Sequence, residues 1–292
     1  MNKLKAIILL LFVNLIWGTT FSVVKKALNS VKVSDIIFLR FLIGIIVLIP
    51  FLYFKKIKSF DRFTIIGGSI AGLFLAGGYF FQTLGLKYTG ATKSAFVTGL
   101  YVITVPFFSY MILKKRPAAK NIYGLIIATL GTILLFLESD ISLKLNTGDI
   151  LTIFCALCFG VQIVILSKFI RKNNFLEFTL IQLIIVCILA FIFSFNHIFE
   201  VDILNTALWK VLFVVGFLGT GFCFLGQSIS QNSLSADEAA VIYTSEPLFG
   251  GIAGFLFLNE ILQPFQILGG ILIITGILVS EVNFKRLLRL SR

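Results

Sequence analysis

The feature that most restricts the fold of this chain is a series of ten apolar stretches, joined by short connections. A helix needs about 20 mostly apolar residues to cross the hydrocarbon core of a bilayer, so each stretch predicts one membrane-spanning helix. The stretches lie at residues 6–24, 34–54, 64–86, 91–113, 120–137, 147–168, 176–194, 207–231, 236–258 and 264–283. None of the connections is long enough to form a soluble domain.

The composition supports this interpretation, because 58% of the 292 residues are apolar and 13% are charged. A soluble domain averages about 25% charged residues, and this excess of apolar surface has to face lipid. A β-barrel would need alternating segments of about 10 residues, whereas these runs are continuous and longer. The first run also exceeds the apolar region of a signal peptide, which is about 7–15 residues. We therefore expect an all-α membrane protein with ten transmembrane helices.

The formal net charge of +12 reflects topology rather than nucleic-acid binding. If the N-terminus is cytoplasmic, most of the Lys and Arg residues fall in the segments on the cytoplasmic side. The positive-inside rule then predicts a multi-pass protein of the cell membrane with both termini in the cytoplasm.

The two halves of the sequence repeat each other at a nearly constant spacing. An offset of 142 residues relates the first two spans of each half, and an offset of 145 relates the later spans. The matched residues are Gly18 and Gly160, Arg40 and Gln182, Gln82 and Gln227, Ala91 and Ala236, Gly124 and Gly269, and Gly131 and Gly276. The pattern predicts a first repeat at 1–137, a connecting loop at 138–146, a second repeat at 147–283 and a basic cytoplasmic tail at 284–292.

Each predicted repeat contains five spans, and an odd number places the second repeat in the membrane upside down relative to the first. Inverted repeats of this kind are typical of secondary transporters, in which a central site opens alternately to the two sides. The sequence therefore favours a two-state carrier.

Several motifs resemble an EamA-type domain. In the first half these are NLIWGTTF at 14–21, followed by Lys25, and FLRFL at 38–42. In the second half they are Ala239, Ala240, SEPL at 245–248, FLNE at 257–260, Gly269 and Gly276. The resemblance covers nearly the whole chain as two tandem domains. It implies the drug/metabolite transporter superfamily, an inverted five-plus-five helix fold and transport of small metabolites.

The first half departs from this pattern at two places. Tyr101 and Val102 stand where the second half has Glu246 and Pro247, and Lys115 stands where the second half has Glu260. A mechanism that needs two equivalent acidic groups is therefore not expected.

Two charged residues, Arg40 and Glu246, lie well inside predicted spans. A charge at the bilayer centre costs about 2.5–3.5 kcal/mol on insertion scales, so such groups usually face the bundle interior or a water-filled cavity. Glu246 precedes Pro247, which cannot donate a helix hydrogen bond to Tyr243. Glu246 is a candidate for substrate contact or proton coupling, or else a structural carboxylate. Arg40 is a candidate anchor for an anionic group, a partner for Glu246, or a side chain that reaches the interface.

Other polar and aromatic residues lie at corresponding depths and are candidates for lining a cavity. Buried amides are unfavourable in lipid, so they are expected to point inward, although each could equally join two helices. They are Asn14, Trp17, Tyr79, Gln82, Thr98, Tyr101, Gln162, Gln227 and Tyr243. Within this set Thr98 and Tyr101, like Tyr243 and Glu246, are three residues apart, which predicts one shared helix face for each pair.

The sequence thus predicts a secondary transporter of a small metabolite, working by alternating access and exporting its substrate, with protons as the coupling ion under consideration. A zwitterion such as an amino acid or an uncharged amphipathic compound would suit the predicted lining. No phosphate-binding loop, metal-ligand cluster or catalytic constellation is found, so no ATP-driven, cofactor-dependent or enzymatic activity is expected. The alternatives are a membrane channel and a non-transporting membrane scaffold. A monomer and a homodimer are both compatible with the sequence.

Overall fold

The computed structural model describes residues 1–55, 60–135, 145–171, 174–202, 204–258 and 263–281, and every regular element within these ranges is helical. The α-helices are α1 (Lys3–Ala27), α2 (Val33–Phe54), α3 (Arg62–Tyr88), α4 (Ala91–Gly99), α5 (Tyr101–Leu113), α6 (Ala119–Leu135), α7 (Thr147–Phe169), α8 (Phe175–Ser194), α9 (Thr206–Leu212), α10 (Cys223–Gln231), α11 (Ala236–Tyr243), α12 (Ser245–Leu258) and α13 (Pro264–Glu281). A 3-10 turn at Ile198–Glu200 follows α8, and a π-helical segment at Phe213–Phe222 joins α9 to α10.

Eight helical stretches in the described part of the chain are long and apolar enough to cross a membrane. They confirm eight of the ten expected spans as long apolar helices. The fifth expected span is the shorter apolar helix α6. The ninth, at 236–258, is divided between α11 and α12. The predicted tail at 284–292, most of the predicted loop at 138–146, and Asn259 and Glu260 of the family motif lie outside the described residues.

Several helices begin at side chains that accept hydrogen bonds from the otherwise unpaired N–H groups of the first turn. Asp61 caps α3 by accepting from the backbone N–H and the hydroxyl of Thr64, at 2.9 and 2.6 Å. The hydroxyl bond, together with the backbone bond, lowers the pKa of the Asp61 carboxyl below its ordinary value. The first turns of α7 and α11 carry full capping boxes, Asn146 with Asp149 and Ser235 with Glu238.

Glycines set the closest helix contacts. Helices α6 and α13 pack so tightly that a Cβ atom on Gly131 would lie 2.5 Å from the carbonyl oxygen of Gly269. Gly124 meets the carbonyl of Gly276 in the same way. Because glycine has no Cβ, the two backbones approach each other directly, as in the small-x-x-x-small contacts of other membrane helices.

Two of the helices that reach the centre of the bundle are broken there. In the first half α4 ends at Gly99 and α5 begins at Tyr101; in the second half α11 ends at Tyr243 and α12 begins at Ser245. The breaks, at Leu100 and Thr244, are 144 residues apart and therefore fall within one residue of matched positions in the repeat. Pro247 contributes to the second break by lacking an N–H, whereas Pro106 lies inside α5, beyond the first break.

Candidate functional site

A small cavity lies where the broken helices meet. Residues from both halves of the chain line it: Trp17, Thr20 and Phe21 of α1; Leu75, Tyr79 and Gln82 of α3; Thr98 of α4; Tyr101 of α5; Phe159, Gln162 and Ile163 of α7; Phe224 and Gln227 of α10; Tyr243 of α11; and Glu246 of α12. Its volume is about 40 Å³, enough for about three water molecules. Pockets that bind small molecules measure about 300–1,000 Å³, so the cavity in this conformation has no room for a metabolite.

Six aromatic side chains form a closed circuit around the cavity, which we call the aromatic belt. In order around the circuit they are Trp17, Phe224, Tyr79, Phe159, Tyr101 and Tyr243. Successive ring centroids, including the return from Tyr243 to Trp17, are 5.4, 6.0, 5.4, 6.2, 5.8 and 6.1 Å apart. Contacts at these distances and mostly edge-to-face or tilted angles are favourable, so the belt is a mutually supported wall.

Glu246 and Tyr101 face each other inside the belt. The Tyr101 hydroxyl donates a hydrogen bond to Oε2 of Glu246 at 3.0 Å. The two residues are 145 positions apart and occupy matched places in the two halves. Glu246 is the one fixed charge in the described cavity lining, and it retains oxygen lone pairs for a further donor.

One wall of the cavity carries a chain of side-chain hydrogen bonds, which we call the amide chain. Gln162 Nε2 donates to Gln227 Oε1 at 3.3 Å, Gln227 Nε2 donates to the Tyr243 hydroxyl at 3.0 Å, and Tyr243 donates to Gln231 Oε1 at 3.2 Å. Gln231 Nε2 then donates to the carbonyl of Ile163 at 3.1 Å and to Ser167. Gln162 also donates to Gln182 at 3.1 Å. The chain pairs the amides of Gln162, Gln227 and Gln231, which would be costly to bury unpaired, whereas Nε2 of Gln182 has no partner among the described residues.

Arg40 lies behind the belt rather than in the cavity lining. Its side chain is buried, with the guanidinium carbon 4.5 Å from the centre of the Tyr79 ring. Its Nε donates to the Thr220 hydroxyl at 3.1 Å. No ion pair joins Arg40 to Glu246 in this conformation, although both residues are described, and the burial of Arg40 excludes a side chain that reaches the interface. Its Nη2 atom has no hydrogen-bond partner among the described residues.

The π-helical segment at Phe213–Phe222 shapes the surroundings of Arg40. Backbone carbonyls in its wider turns accept hydrogen bonds from side chains. Trp17 Nε1 donates to the carbonyl of Gly219 at 2.8 Å, and the Thr220 hydroxyl donates to the carbonyl of Val215 at 2.7 Å. π-Helical turns often occur at functional positions. This one fixes the indole of Trp17 in the belt.

Asn14 supports the break between α11 and α12 from outside the cavity lining. Its side-chain nitrogen donates to the carbonyl of Ile242 and to the Ser245 hydroxyl, both at 2.9 Å. It satisfies a backbone acceptor near the interruption of the helix, so its contribution here is structural.

Similarity to a known family agrees with this arrangement of cavity and broken helices. A model of the EamA-like transporter family matches residues 4–137 and 146–281. This chain belongs to the EamA-like transporter family. This match confirms the resemblance predicted from the sequence. The family model matches the chain twice in tandem, as the resemblance implied. Membership indicates a membrane transporter rather than an enzyme.

Similar proteins share the length of this EamA-like chain. An uncharacterized transporter of Archaeoglobus fulgidus is 33% identical over 282 residues, which cover 97% of this chain and 87% of that protein. The uncharacterized transporter YoaV of Bacillus subtilis is 24% identical over 288 residues, covering 97% and 98%. A solved crystal structure with 17% sequence identity aligns over 98% of this chain and 99% of its own, with a TM-score of 0.81. The last similarity shows a shared fold.

Nine of the eleven residues predicted for the site of this EamA-like protein line the cavity, and two, Asn14 and Arg40, lie next to it. A helix break separates the members of each pair expected to share a helix face, Thr98 with Tyr101 and Tyr243 with Glu246. All four side chains nevertheless reach the cavity, since the breaks themselves lie beside it.

Sequence reasoning missed six lining residues: Thr20, Phe21, Leu75, Phe159, Ile163 and Phe224. The repeat offsets carried a signal for three of them. Phe159 matches Trp17 at offset 142, Phe224 matches Tyr79 at offset 145, and Thr20 matches Gln162 at offset 142. The offsets applied to Trp17 and Tyr79 thus identify both belt residues that were missed, Phe159 and Phe224.

Proposed function

We propose that this protein is a secondary transporter that carries a small metabolite across the cell membrane by alternating access. The observation that carries the proposal is the central cavity, lined by both halves and containing the Tyr101–Glu246 contact. Two matched residues that touch each other lie close to the axis that relates the halves. A site at that position can open to either side when the halves exchange their conformations.

The contacts between α6 and α13 support the inverted five-helix repeats on which this mechanism depends. Gly124 touches Gly276, and Gly131 touches Gly269. Because Gly124 matches Gly269 and Gly131 matches Gly276, exchanging the two halves converts one contact into the other. A self-complementary contact of this kind is the signature of a two-fold relation.

The lining favours a substrate with an apolar body and a polar end, such as an amino acid or an uncharged amphipathic compound. The aromatic belt would cover the apolar part once the cavity has widened. Gln82 and the amide chain would bind polar groups, and Glu246 would accept from an ammonium or hydroxyl donor. Arg40 would require a shift of Tyr79 before it could meet a carboxylate, because the ring lies between its guanidinium and the cavity.

We propose a cytoplasmic location for both termini, on the distribution of Lys and Arg along the chain. We also propose export as the direction of transport. Uptake into inside-out vesicles compared with intact cells would test the direction. Faster uptake by intact cells would contradict export.

Counterflow in proteoliposomes tests the transporter itself, with a panel of labelled amino acids, nucleobases and amphipathic compounds. A carrier transiently accumulates labelled solute when the vesicles are preloaded with unlabelled solute, whereas a channel or a scaffold does not. Accumulation of at least one solute is expected for the purified wild-type protein. No accumulation of any solute in the panel would contradict the proposal.

Glu246→Gln tests the role of the carboxylate, with Glu200→Gln as its control, since the latter makes the same chemical change on the exposed 3-10 turn. If Glu246 takes up a proton during transport, the wild-type counterflow rate varies with pH and the rate of the Glu246 variant does not. The control keeps the wild-type profile. Wild-type rates of Glu246→Gln at every pH would remove Glu246 from the mechanism.

A further inference from the structure

Two ion pairs close the bundle at its opposite ends, and each joins a half-helix that leads to the cavity with the first helix of the other half. The first ionic lock is Lys93 of α4 with Asp149 of α7, at 2.6 Å between Nζ and Oδ2. Asp149 is fully buried, accepts from the Thr89 hydroxyl at 2.9 Å and closes the capping box of α7. The acid is thus fixed, and the lysine is the flexible partner.

The second ionic lock is Lys3 of α1 with Glu238 of α11, at 2.6 Å between Nζ and Oε1. Lys3 also contacts Glu281 at the end of α13, at 2.9 Å. Glu238 closes the capping box of α11 with Ser235. Here too the acid is held by a helix start, and the lysine bridges to it.

The two locks correspond through the internal repeat. Lys93 and Glu238 are 145 residues apart, and each is the third residue of its half-helix. Their partners both lie in the first turn of the opening helix of the opposite half, α7 in one case and α1 in the other. Lys93 and Glu238 are therefore equivalent in position and opposite in charge, whereas their partners Asp149 and Lys3 share only the first turn of the matched helices.

The locks lie at opposite ends of the bundle, as the course of α1 shows. Lys3 at the start of α1 forms the second lock. Lys25, near the end of the same helix, donates to the carbonyl of Thr89 at 2.9 Å, and Thr89 contacts the acid of the first lock. The 22 residues between Lys3 and Lys25 span about 33 Å at 1.5 Å per residue, which matches the thickness of a bilayer core.

Each lock acts on a short rigid arm that ends at the cavity. Helix α4 runs from the first lock to the break at Leu100, and its Thr98 lines the cavity; helix α11 runs from the second lock to the break at Thr244, and its Tyr243 lines the cavity. A half-helix with a break at one end can swing about that break without moving the rest of its span. Releasing one lysine would free one arm and leave the other closed.

Resting on the proposed function, we infer that α4 and α11 are the two gates of the transport cycle, and that Lys93–Asp149 and Lys3–Glu238 are the locks that hold them shut one at a time. Both locks are formed in this structure, in agreement with a cavity too small for a metabolite. Opening the first lock exposes the cavity to one side of the membrane, and opening the second exposes it to the other.

The test uses a single cysteine in the cavity as a reporter of opening. Thr98→Cys is built into a protein whose native Cys155, Cys158, Cys187 and Cys223 are serine. Thr98 is buried in this structure. A membrane-impermeant methanethiosulfonate is applied to intact cells and to inside-out vesicles, and the labelling rate is measured for Lys93→Met and for Lys3→Met.

Lys93→Met is expected to raise the labelling rate about fivefold from one face, and Lys3→Met to raise it about fivefold from the other face, as the loss of one ion pair shifts the closed–open equilibrium. Lys87→Met and Lys5→Met are the matched controls, because they remove exposed lysines at the same two ends, and they leave both rates unchanged. Three results would each contradict the assignment of α4 and α11 as gates. These are labelling rates that rise from the same face in both variants, rates that do not rise, and rates that rise equally in the controls.

Counterflow by the wild-type protein separates this inference from the proposed function. Counterflow without side-specific labelling would contradict the gate role of α4 and α11 but would agree with the proposed transport function. Side-specific labelling without counterflow of any solute would contradict the proposed transport function but would still show two half-helices that open alternately.

Discussion

Replacing Gly131 by alanine should weaken the contact between α6 and α13. The added Cβ would lie 2.5 Å from the carbonyl oxygen of Gly269 and 2.8 Å from the amide nitrogen of Ile273. Both neighbours are backbone atoms and cannot rotate away. Since ordinary contacts begin at about 3.4 Å, the two helices would have to separate by about 1 Å, with loss of dispersion contacts along the interface.

Two opposing effects determine how much Gly131→Ala changes the free energy of unfolding. Overpacking of a close interface costs about 1–3 kcal/mol, while alanine in place of glycine favours a helix by about 0.5–1 kcal/mol. The expected net loss in the free energy of unfolding is about 0.5–2 kcal/mol. Gly99→Ala is the control, because a Cβ there meets nothing within 4 Å, and it should be neutral or stabilising.

A double variant gives the sharper result. In Gly269→Ala the new Cβ would lie 2.6 Å from the carbonyl oxygen of Gly131, so the same separation of helices relieves both clashes. The cost of Gly131→Ala with Gly269→Ala should therefore fall short of the sum of the single costs by about 0.5 kcal/mol or more.

The assay is unfolding by SDS in mixed micelles, followed by circular dichroism, with all five proteins measured over the same series of SDS concentrations. A wild-type midpoint for Gly131→Ala would refute the argument that backbone contact controls this interface. Strictly additive costs would refute the claim that the two glycines share one contact.

Three further changes test the surroundings of the cavity. Asn14→Ala should lower the free energy of unfolding by about 1–2 kcal/mol, because the carbonyl of Ile242 loses an amide donor; an unchanged SDS midpoint would contradict this. Arg40→Met should be at least as stable as Arg40→Lys in the same assay, since the methionine removes a buried charge that lacks an ionic partner, and a less stable methionine variant would show that the charge itself is needed. Tyr101→Phe should slow counterflow about 10-fold by removing the donor to Glu246, and a wild-type rate would assign that contact no part in transport.

Depth in the membrane could be read from the sequence because it depends on length and hydropathy. The second span was predicted at 34–54 and forms α2 at Val33–Phe54, and nine predicted site residues line the cavity because they lie at the right depth. Rotation about the helix axis was less predictable. Arg40 lies at cavity depth, but its side chain points behind the belt to Thr220, a direction set by the neighbouring π-helical segment.

The helix breaks and the π-helical segment could not be placed from local sequence alone. Pro247 indicated a local interruption, but no proline marks the break at Leu100, where a tight turn bonds the Leu100 N–H to the carbonyl of Val97 at 3.2 Å. The π-helical turns depend on partners from distant segments, such as Trp17. Phe159 and Phe224 escaped prediction because 33 phenylalanines fill this chain, most of which serve lipid contact or packing equally well.

The direction of the amide chain determines how the cavity wall meets a ligand. The chain ends on the carbonyl of Ile163, which can only accept, so every amide before it must donate towards that end. Gln162 lies at the other end of the chain, and its two side-chain N–H groups donate to Gln182 and Gln227. The group it has left for the cavity is its carbonyl oxygen. Under the proposed function, the backbone carbonyl at the end of the chain thus turns this wall towards hydrogen-bond donors, and reversing that preference would require replacing the whole chain rather than one glutamine.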